Sequence, residues 1–215
     1  MKLHRLAAYA GIGMGCVGIA SVVLIRRVSP QIGPTDFAAI SLDPAKMTSA
    51  YTALPAVFNS LLILSVLRGI GALLLALALQ DLMKAKAPIL MRLLVIAASA
   101  CSALMSIVAI AGMVGHSSFA GSKDMSAYKA FLVMLHGINA TAVNVFGWEL
   151  LLIGWAALST KVWSRILSCF ILAAGIAHFV QFAFDQPLAL RGVFVAISML
   201  WLAVILLRNP EPISE

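Results

Sequence analysis

Between Leu54 and Leu79 the chain reads LPAVFNSLLILSVLRGIGALLLALAL, and Arg68 is the one charged residue in this stretch. A helix of about 20 apolar residues crosses the hydrocarbon core of a bilayer, so the stretch is long enough to span a membrane. Strands of membrane β-barrels alternate polar and apolar residues, and no such alternation occurs here. The stretch therefore predicts a transmembrane helix.

Further stretches of similar character occur on both sides of this one, each bounded by charged residues, proline or glycine. They are Leu6–Ile25, Ile89–Gly115, Phe131–Leu158, Ile166–Phe184 and Gly192–Leu207. Little of the 215-residue chain remains outside the apolar stretches. We therefore predict an all-α polytopic membrane protein, with residues 1–215 forming a single domain built as a six-transmembrane-helix bundle.

The composition excludes several classes of protein. Hydrophobic residues make up 62% of the chain and charged residues 11%, whereas soluble domains are about half apolar and a quarter charged. A soluble enzyme and a disordered protein are thus excluded. The net charge of +7 does not indicate a nucleic-acid partner, because the basic residues are scattered between apolar stretches rather than clustered on one surface.

The distribution of Lys and Arg predicts the orientation. Basic residues near span ends favour the cytoplasmic side, and the two sides carry eight and six of them. The eight are Lys2, Arg5, Lys84, Lys86, Arg92, Lys161, Arg165 and Arg208. This difference favours both termini in the cytoplasm.

The first span has an alternative interpretation as a signal peptide, because Lys2 and Arg5 precede its apolar residues. A secretory h-region is shorter and ends at a small-residue cleavage site. Here the apolar run continues to Ile25 and ends at Arg26 and Arg27, which favours a span that is retained.

The longest connection, from about Arg26 to Ala53, contains a helix start. Asp43 precedes Pro44, and Asp is a preferred N-cap while Pro is preferred in the first turn. A short helix is therefore expected before the second span. It would be either a lid over an outward-facing site or a packed cap without a chemical role.

Two charged residues lie deep inside predicted spans, where ionisable groups are candidates for function. Arg68 lies roughly 17 Å and Glu149 roughly 14 Å from the inner ends of their spans, at 1.5 Å per residue. Because the depths agree, we expect an intramembrane ion pair between them. Such a pair would either fix the register of two helices or lie on a substrate or proton path.

The histidines form a second group of candidates. His136 and His178 lie at about the same predicted depth in neighbouring spans, and His116 ends the third span. Two facing histidines can ligate a haem, here haem b, and three can hold zinc. The alternative is a structural role, in which each histidine is hydrogen-bonded to a neighbouring group. Polar residues expected to line the same interior are Asn139, Asn144 and Gln181.

The first span carries Gly11 and Gly15 at the spacing of a GxxxG motif, which allows helices to approach closely. The partner helix would belong either to the same chain or to a second copy in a homodimer. The three cysteines, Cys16, Cys101 and Cys169, fall in different spans.

The sequence FGWELLLIGW at residues 146–155, followed by SRIL at 164–167 and AAG at 173–175, resembles a bacterial family of six-span membrane proteins classed as a domain of unknown function. The chain departs from the family pattern at Trp163 and Ser168. The resemblance implies six spans and the bacterial inner membrane. It implies no activity and no functional residues.

Three functions remain open at this level. The first is a non-enzymatic bundle, either an accessory subunit of other membrane proteins or a handler of a small lipophilic ligand. The second is a haem- or metal-binding redox subunit that uses His136 and His178. The third is a small transporter with Arg68 and Glu149 in its path. No GxSxG or HExxH motif points to a membrane hydrolase.

Overall fold

The computed structural model describes residues 3–32, 42–119, 124–184 and 189–208. Within these residues the chain forms seven α-helices and no strand, which confirms the all-α prediction. The helices are α1 (Leu3–Ile32), α2 (Pro44–Ala53), α3 (Pro55–Met83), α4 (Pro88–Phe119), α5 (Met125–Thr160), α6 (Arg165–Phe184) and α7 (Ala189–Arg208).

Four of these helices, α1, α3, α4 and α5, are long and apolar enough to cross a membrane. The shortest of them would extend roughly 40 Å at 1.5 Å per residue, more than the ~30 Å hydrocarbon core. Large apolar side chains face outward, including Ile89 at 72% exposure and Trp155 at 63%. The protein is thus membrane-embedded. Helices α6 and α7 are also apolar but shorter, at 20 residues each, so six crossings stay a prediction.

The six longer helices form a closed ring. Contacts follow chain order from α3 through α4, α5 and α6 to α7, while α1 packs against both α3 and α7. Neighbours run antiparallel, as short connections require. We refer to the end with the start of α1 and the α3–α4 turn as the N-terminal end, and to the opposite end as the α2 end.

Helix α2 begins as predicted. The Asp43 carboxylate accepts hydrogen bonds from the backbone N–H groups of Ala45 and Lys46, at 3.0 and 3.2 Å, which satisfies donors that have no partner within the helix. Met47 and Tyr51 are buried against the ends of the longer helices. In the described part of this connection, α2 is therefore a packed cap. Residues 33–41 lie outside the described residues.

Glycines set the closest helix contacts. A Cβ atom on Gly11 would lie 3.1 Å from the carbonyl oxygen of Met199, and one on Gly15 would lie 2.7 Å from Cγ of Leu200. Both contacts are with α7 of the same chain. The small-residue face of α1 therefore packs within the bundle.

The bundle has two apolar clusters. The larger one fills the ring with Ala, Leu and Met side chains, among them Met83 and Met91 near the N-terminal end. The smaller one lies under α2 and is rich in aromatic residues, including Tyr51, Phe58 and Tyr128. Polar side chains are buried within both regions.

Candidate functional site

The charged residues of the bundle interior come from facing helices. Arg68 on α3 is 3% exposed and Glu149 on α5 is 2% exposed, and the two side chains act on each other electrostatically. Helix α4 runs between α3 and α5 in the ring. Both residues therefore lie in the buried interior, and the ion pair between them stays a prediction.

Helices α3 and α4 approach closely beside Arg68. A Cβ atom on Gly69 would lie 2.9 Å from Cα of Ser102, so only glycine allows this approach. The neighbouring residue on α4, Cys101, is fully buried and its thiol faces the Glu149 carboxyl group. The Cys101 sulfur also lies 3.7 Å from the carbonyl oxygen of Ala142, to which it donates.

Phe146 completes the cluster from α5, one turn before Glu149. The guanidinium carbon of Arg68 lies 4.1 Å from the centroid of the Phe146 ring, and a cation over an aromatic face is stabilised by the ring quadrupole. Neither Phe146 nor Cys101 was among the candidate site residues predicted from the sequence. The spacing of Phe146 three residues before Glu149 is the one signal that could have indicated it.

His178 joins the cluster from α6 through a contact with Phe146. The two ring centroids are 5.4 Å apart with an interplanar angle of 62°. Nδ1 of His178 lies 2.8 Å from the carbonyl oxygen of Ala174, one turn earlier in the same helix. The structure thus joins one of the predicted histidines to the predicted charge pair, which the sequence treats as separate groups.

His116 lies elsewhere, in the aromatic cluster under α2. It is 1% exposed, and its Nδ1 atom lies 2.9 Å from the hydroxyl oxygen of Tyr128. Its ring packs against those of Tyr51, Phe58 and Phe131. The Nε2 atom of this ring has no hydrogen-bond partner among the described residues.

His136 does not lie at the depth of His178, contrary to the sequence-based expectation. His178 lies beside Gly147 of α5, where a Cβ atom would be 2.9 Å from Cβ of His178, and His136 is 11 residues earlier on that helix, roughly 16 Å away.

The other predicted polar residues are distributed along α5 and α6. His136 and Asn144 are half-buried and Asn139 is fully buried. The Gln181 backbone belongs to α6, but its side chain lies outside the described residues. No three His, Cys, Asp or Glu side chains of the described chain come together as a metal site would require.

Chemically, the interior cluster brings together an acid, a base, a thiol and aromatic rings. An ionisable group is less costly inside a bilayer when groups that can interact with it lie nearby than when it is isolated there. The cluster thus explains how Arg68 and Glu149 are both accommodated in the membrane.

Two grooves flank the first half of α6 on the lipid-facing surface. One lies between α5 and α6 and is lined by Trp155, Leu158, Ser159 and Leu172. The other, which we term the α6 groove, is lined by Arg165, Ile166, Cys169, Phe170 and Ala173. Both are mainly apolar and open towards the position that lipid would occupy.

Comparison of the chain with protein-family models, with curated proteins and with solved structures finds no match.

Proposed function

We propose that the protein is a non-enzymatic membrane bundle that holds a small lipophilic ligand at its lipid-facing surface. The α6 groove carries this proposal, because it is a shallow, mainly apolar site on the outer face of α6 with Arg165 at one end. Sites for small molecules are typically mainly apolar, with few polar groups. Arg68 and Glu149, by contrast, are buried inside the bundle, at 3% and 2% exposure.

The proposal includes the location of the protein. We propose six spans in the bacterial inner membrane, with both termini in the cytoplasm. The closed ring of six helices supports six spans, and the excess of Lys and Arg at the N-terminal end supports the orientation. The resemblance at residues 146–175 to the six-span family of unknown function agrees with this location.

The test is to purify the protein in mild detergent and quantify bound lipophilic compounds by mass spectrometry. Cys169→Trp places a large side chain in the α6 groove and should deplete the bound compound. Cys16→Trp is the matched control, because Cys16 is an exposed cysteine on α1, outside the groove. Equal amounts of compound in the two variants would contradict the proposal and favour the accessory-subunit function.

The second candidate is a haem-binding subunit. The observation that favours it is the contact between Nδ1 of His178 and the carbonyl oxygen of Ala174, since a ligating imidazole commonly donates its other N–H to a carbonyl. His136 on the neighbouring helix is half-buried, and its Nδ1 has no hydrogen-bond partner among the described residues. However, a Cβ atom on Gly147 would lie 2.9 Å from Cβ of His178, and His136 precedes Gly147 by 11 residues on the same helix, roughly 16 Å. The two histidines therefore do not fit the two axial positions of one haem, and His178 alone stays a candidate ligand of a haem b, which would supply electron transfer.

Absorption spectra of the purified protein, before and after dithionite, test this candidate. A Soret band that is lost in His178→Ala and kept in His136→Ala would support it. A protein without a Soret band would exclude it.

A further inference from the structure

The α6 groove has a charged end and an apolar length. Arg165 is the first residue of α6 and is exposed. The apolar lining consists of Ile166, Cys169, Phe170 and Ala173, which recur at i+1, i+4, i+5 and i+8 from Arg165. This spacing places all of them on one face of the helix. The groove therefore runs along α6, away from the cationic residue.

The groove is about as long as one leaflet is thick. Eight residues separate Arg165 from Ala173, roughly 12 Å of helix, while half of a typical hydrocarbon core is about 15 Å. The groove is shallow and open along its length, so a ligand there would be covered on one side only. An acyl chain that starts beside Arg165 would lie along most of the groove.

Aromatic packing supports one wall of the groove. The Phe170 ring lies 5.2 Å from the ring of Phe194 and 6.3 Å from that of Trp201, both on α7. These contacts hold Phe170 between α6 and α7, so that its position does not depend on a ligand. The groove is thus built by the fold.

The charge around the groove selects the headgroup. Lys161 and Arg165 are both exposed at the N-terminal end of the bundle. Of the acidic residues that the structure describes, only Asp81 lies at this end, and its carboxylate is 2.8 Å from Nζ of Lys84. Arginine pairs well with phosphate oxygens, and basic sites between transmembrane helices bind anionic lipid headgroups.

We propose that the α6 groove binds one anionic phospholipid, with its phosphate at Arg165 and one acyl chain along Ile166, Cys169 and Phe170. This inference rests on the proposed function and names its ligand class. A phospholipid fits this groove better than a neutral lipophile does, because its phosphate can pair with the guanidinium of Arg165 and a neutral ligand has no such group.

Native mass spectrometry with added phosphatidylglycerol and phosphatidylcholine tests the inference. The unmodified protein should prefer phosphatidylglycerol by about fivefold, the effect expected of one basic residue near an anionic lipid. Arg165→Gln should abolish this preference. Arg92→Gln is the matched control, because Arg92 is an exposed arginine at the same end of the bundle that does not line the groove, and it should keep the preference.

The outcomes separate the two proposals. Equal binding of both lipids by the unmodified protein, or an unchanged preference in Arg165→Gln, overturns the anionic-lipid inference. If Cys169→Trp still depletes a bound lipophile, the proposed function survives that result. A dimer of the unmodified protein that Cys169→Trp converts to a monomer would show that a second copy occupies the groove, and would overturn the inference.

Discussion

Arg68 and Glu149 are side chains that the bilayer interior tolerates only together. Removing one partner of a buried pair leaves an uncompensated charge, at a cost of about 3–5 kcal/mol. We therefore expect Arg68→Met and Glu149→Gln each to lower the unfolding temperature in detergent markedly, with a smaller loss in Arg68→Met/Glu149→Met. The unfolding temperatures of the three variants and of the unmodified protein are measured by circular dichroism during heating.

Arg92→Met is the control for the loss of an exposed arginine, and a surface change of this kind costs within about 0.5 kcal/mol. Single variants that unfold like the unmodified protein, yet lose ion or solute flux in vesicles, would contradict a structural pair. That result would favour the transporter function.

The contact between Tyr128 and His116 gives a second prediction at this scale. Tyr128→Phe keeps the aromatic packing but leaves Nδ1 of the buried His116 without its partner, and an unsatisfied buried group costs about 1–3 kcal/mol. Tyr51→Phe is the control, since Tyr51 packs against the same ring at 5.4 Å without a hydrogen bond to it. Similar stability losses in the two variants, measured by thermal unfolding, would contradict the role of the hydrogen bond.

Counting residues along a helix predicts depth, which is why Arg68 and Glu149 could be paired from the sequence. The same counting placed His136 and His178 at one depth, but His178 lies beside Gly147, roughly 16 Å of helix from His136. It also could not predict that Phe146 contacts both Arg68 and His178. Rotation about each helix axis decides such contacts, and an error of two residues in a span boundary turns a side chain by about 200°.

At the scale of helices, Gly154 controls the contact between α5 and α6. A Cβ atom at this position would lie 2.6 Å from Cγ of Leu172 and 3.0 Å from the carbonyl oxygen of Ser168. Because backbone and side chain both block the space, we expect Gly154→Leu to destabilise the protein by about 1–3 kcal/mol, the usual cost of overpacking. The measurement is the unfolding temperature in detergent.

Gly137→Ala provides the matched control on the same helix. No atom lies within 4 Å of a Cβ built there, and Ala is favoured over Gly inside a helix by about 0.5–1 kcal/mol. This variant should be neutral or more stable. If Gly154→Leu were equally well tolerated, the close contact between α5 and α6 would not contribute to stability.

The sequence predicts the identity and approximate bounds of the helices well, because long apolar stretches have few alternatives in a membrane. The predicted helix start at Asp43-Pro44 is confirmed, because N-capping depends only on residues within one turn of each other. The spacing of Gly11 and Gly15 predicts a close contact but not its partner. Only the packing of α1 against α7 shows that the contact is within the chain.

At the scale of the whole molecule, the proposed orientation has a direct test. Lys86 is exposed at the α3–α4 turn and Ser126 is exposed near the start of α5, at opposite ends of the bundle. In a Cys16→Ser/Cys169→Ser background, Ser126→Cys should react with an impermeant maleimide in intact cells. Lys86→Cys should react only after permeabilisation, and the reverse pattern would contradict cytoplasmic termini.

The closed ring is a property of the whole chain that no single stretch encodes. Short connections require α3 to α7 to pack in sequence order, but they do not require α7 to return to α1. That contact forms because α1 presents small residues where α7 carries Leu200 and Ala203. A match of this kind between distant helices depends on three-dimensional shape rather than on local sequence.

By itself, the sequence determined that this is an all-helical membrane-embedded protein, which charges lie at matching depth, and where the first short helix begins. These features follow from hydropathy, helical rise and capping, and each acts over only a few turns of chain. The tertiary structure alone decided that Cys101, Phe146 and His178 lie with Arg68 and Glu149 in one cluster, that His116 pairs with Tyr128, and that the α6 groove lies on the outer surface of the bundle. These depend on which helices are neighbours and how each is rotated, because side chains from distant stretches meet only once the helices have packed.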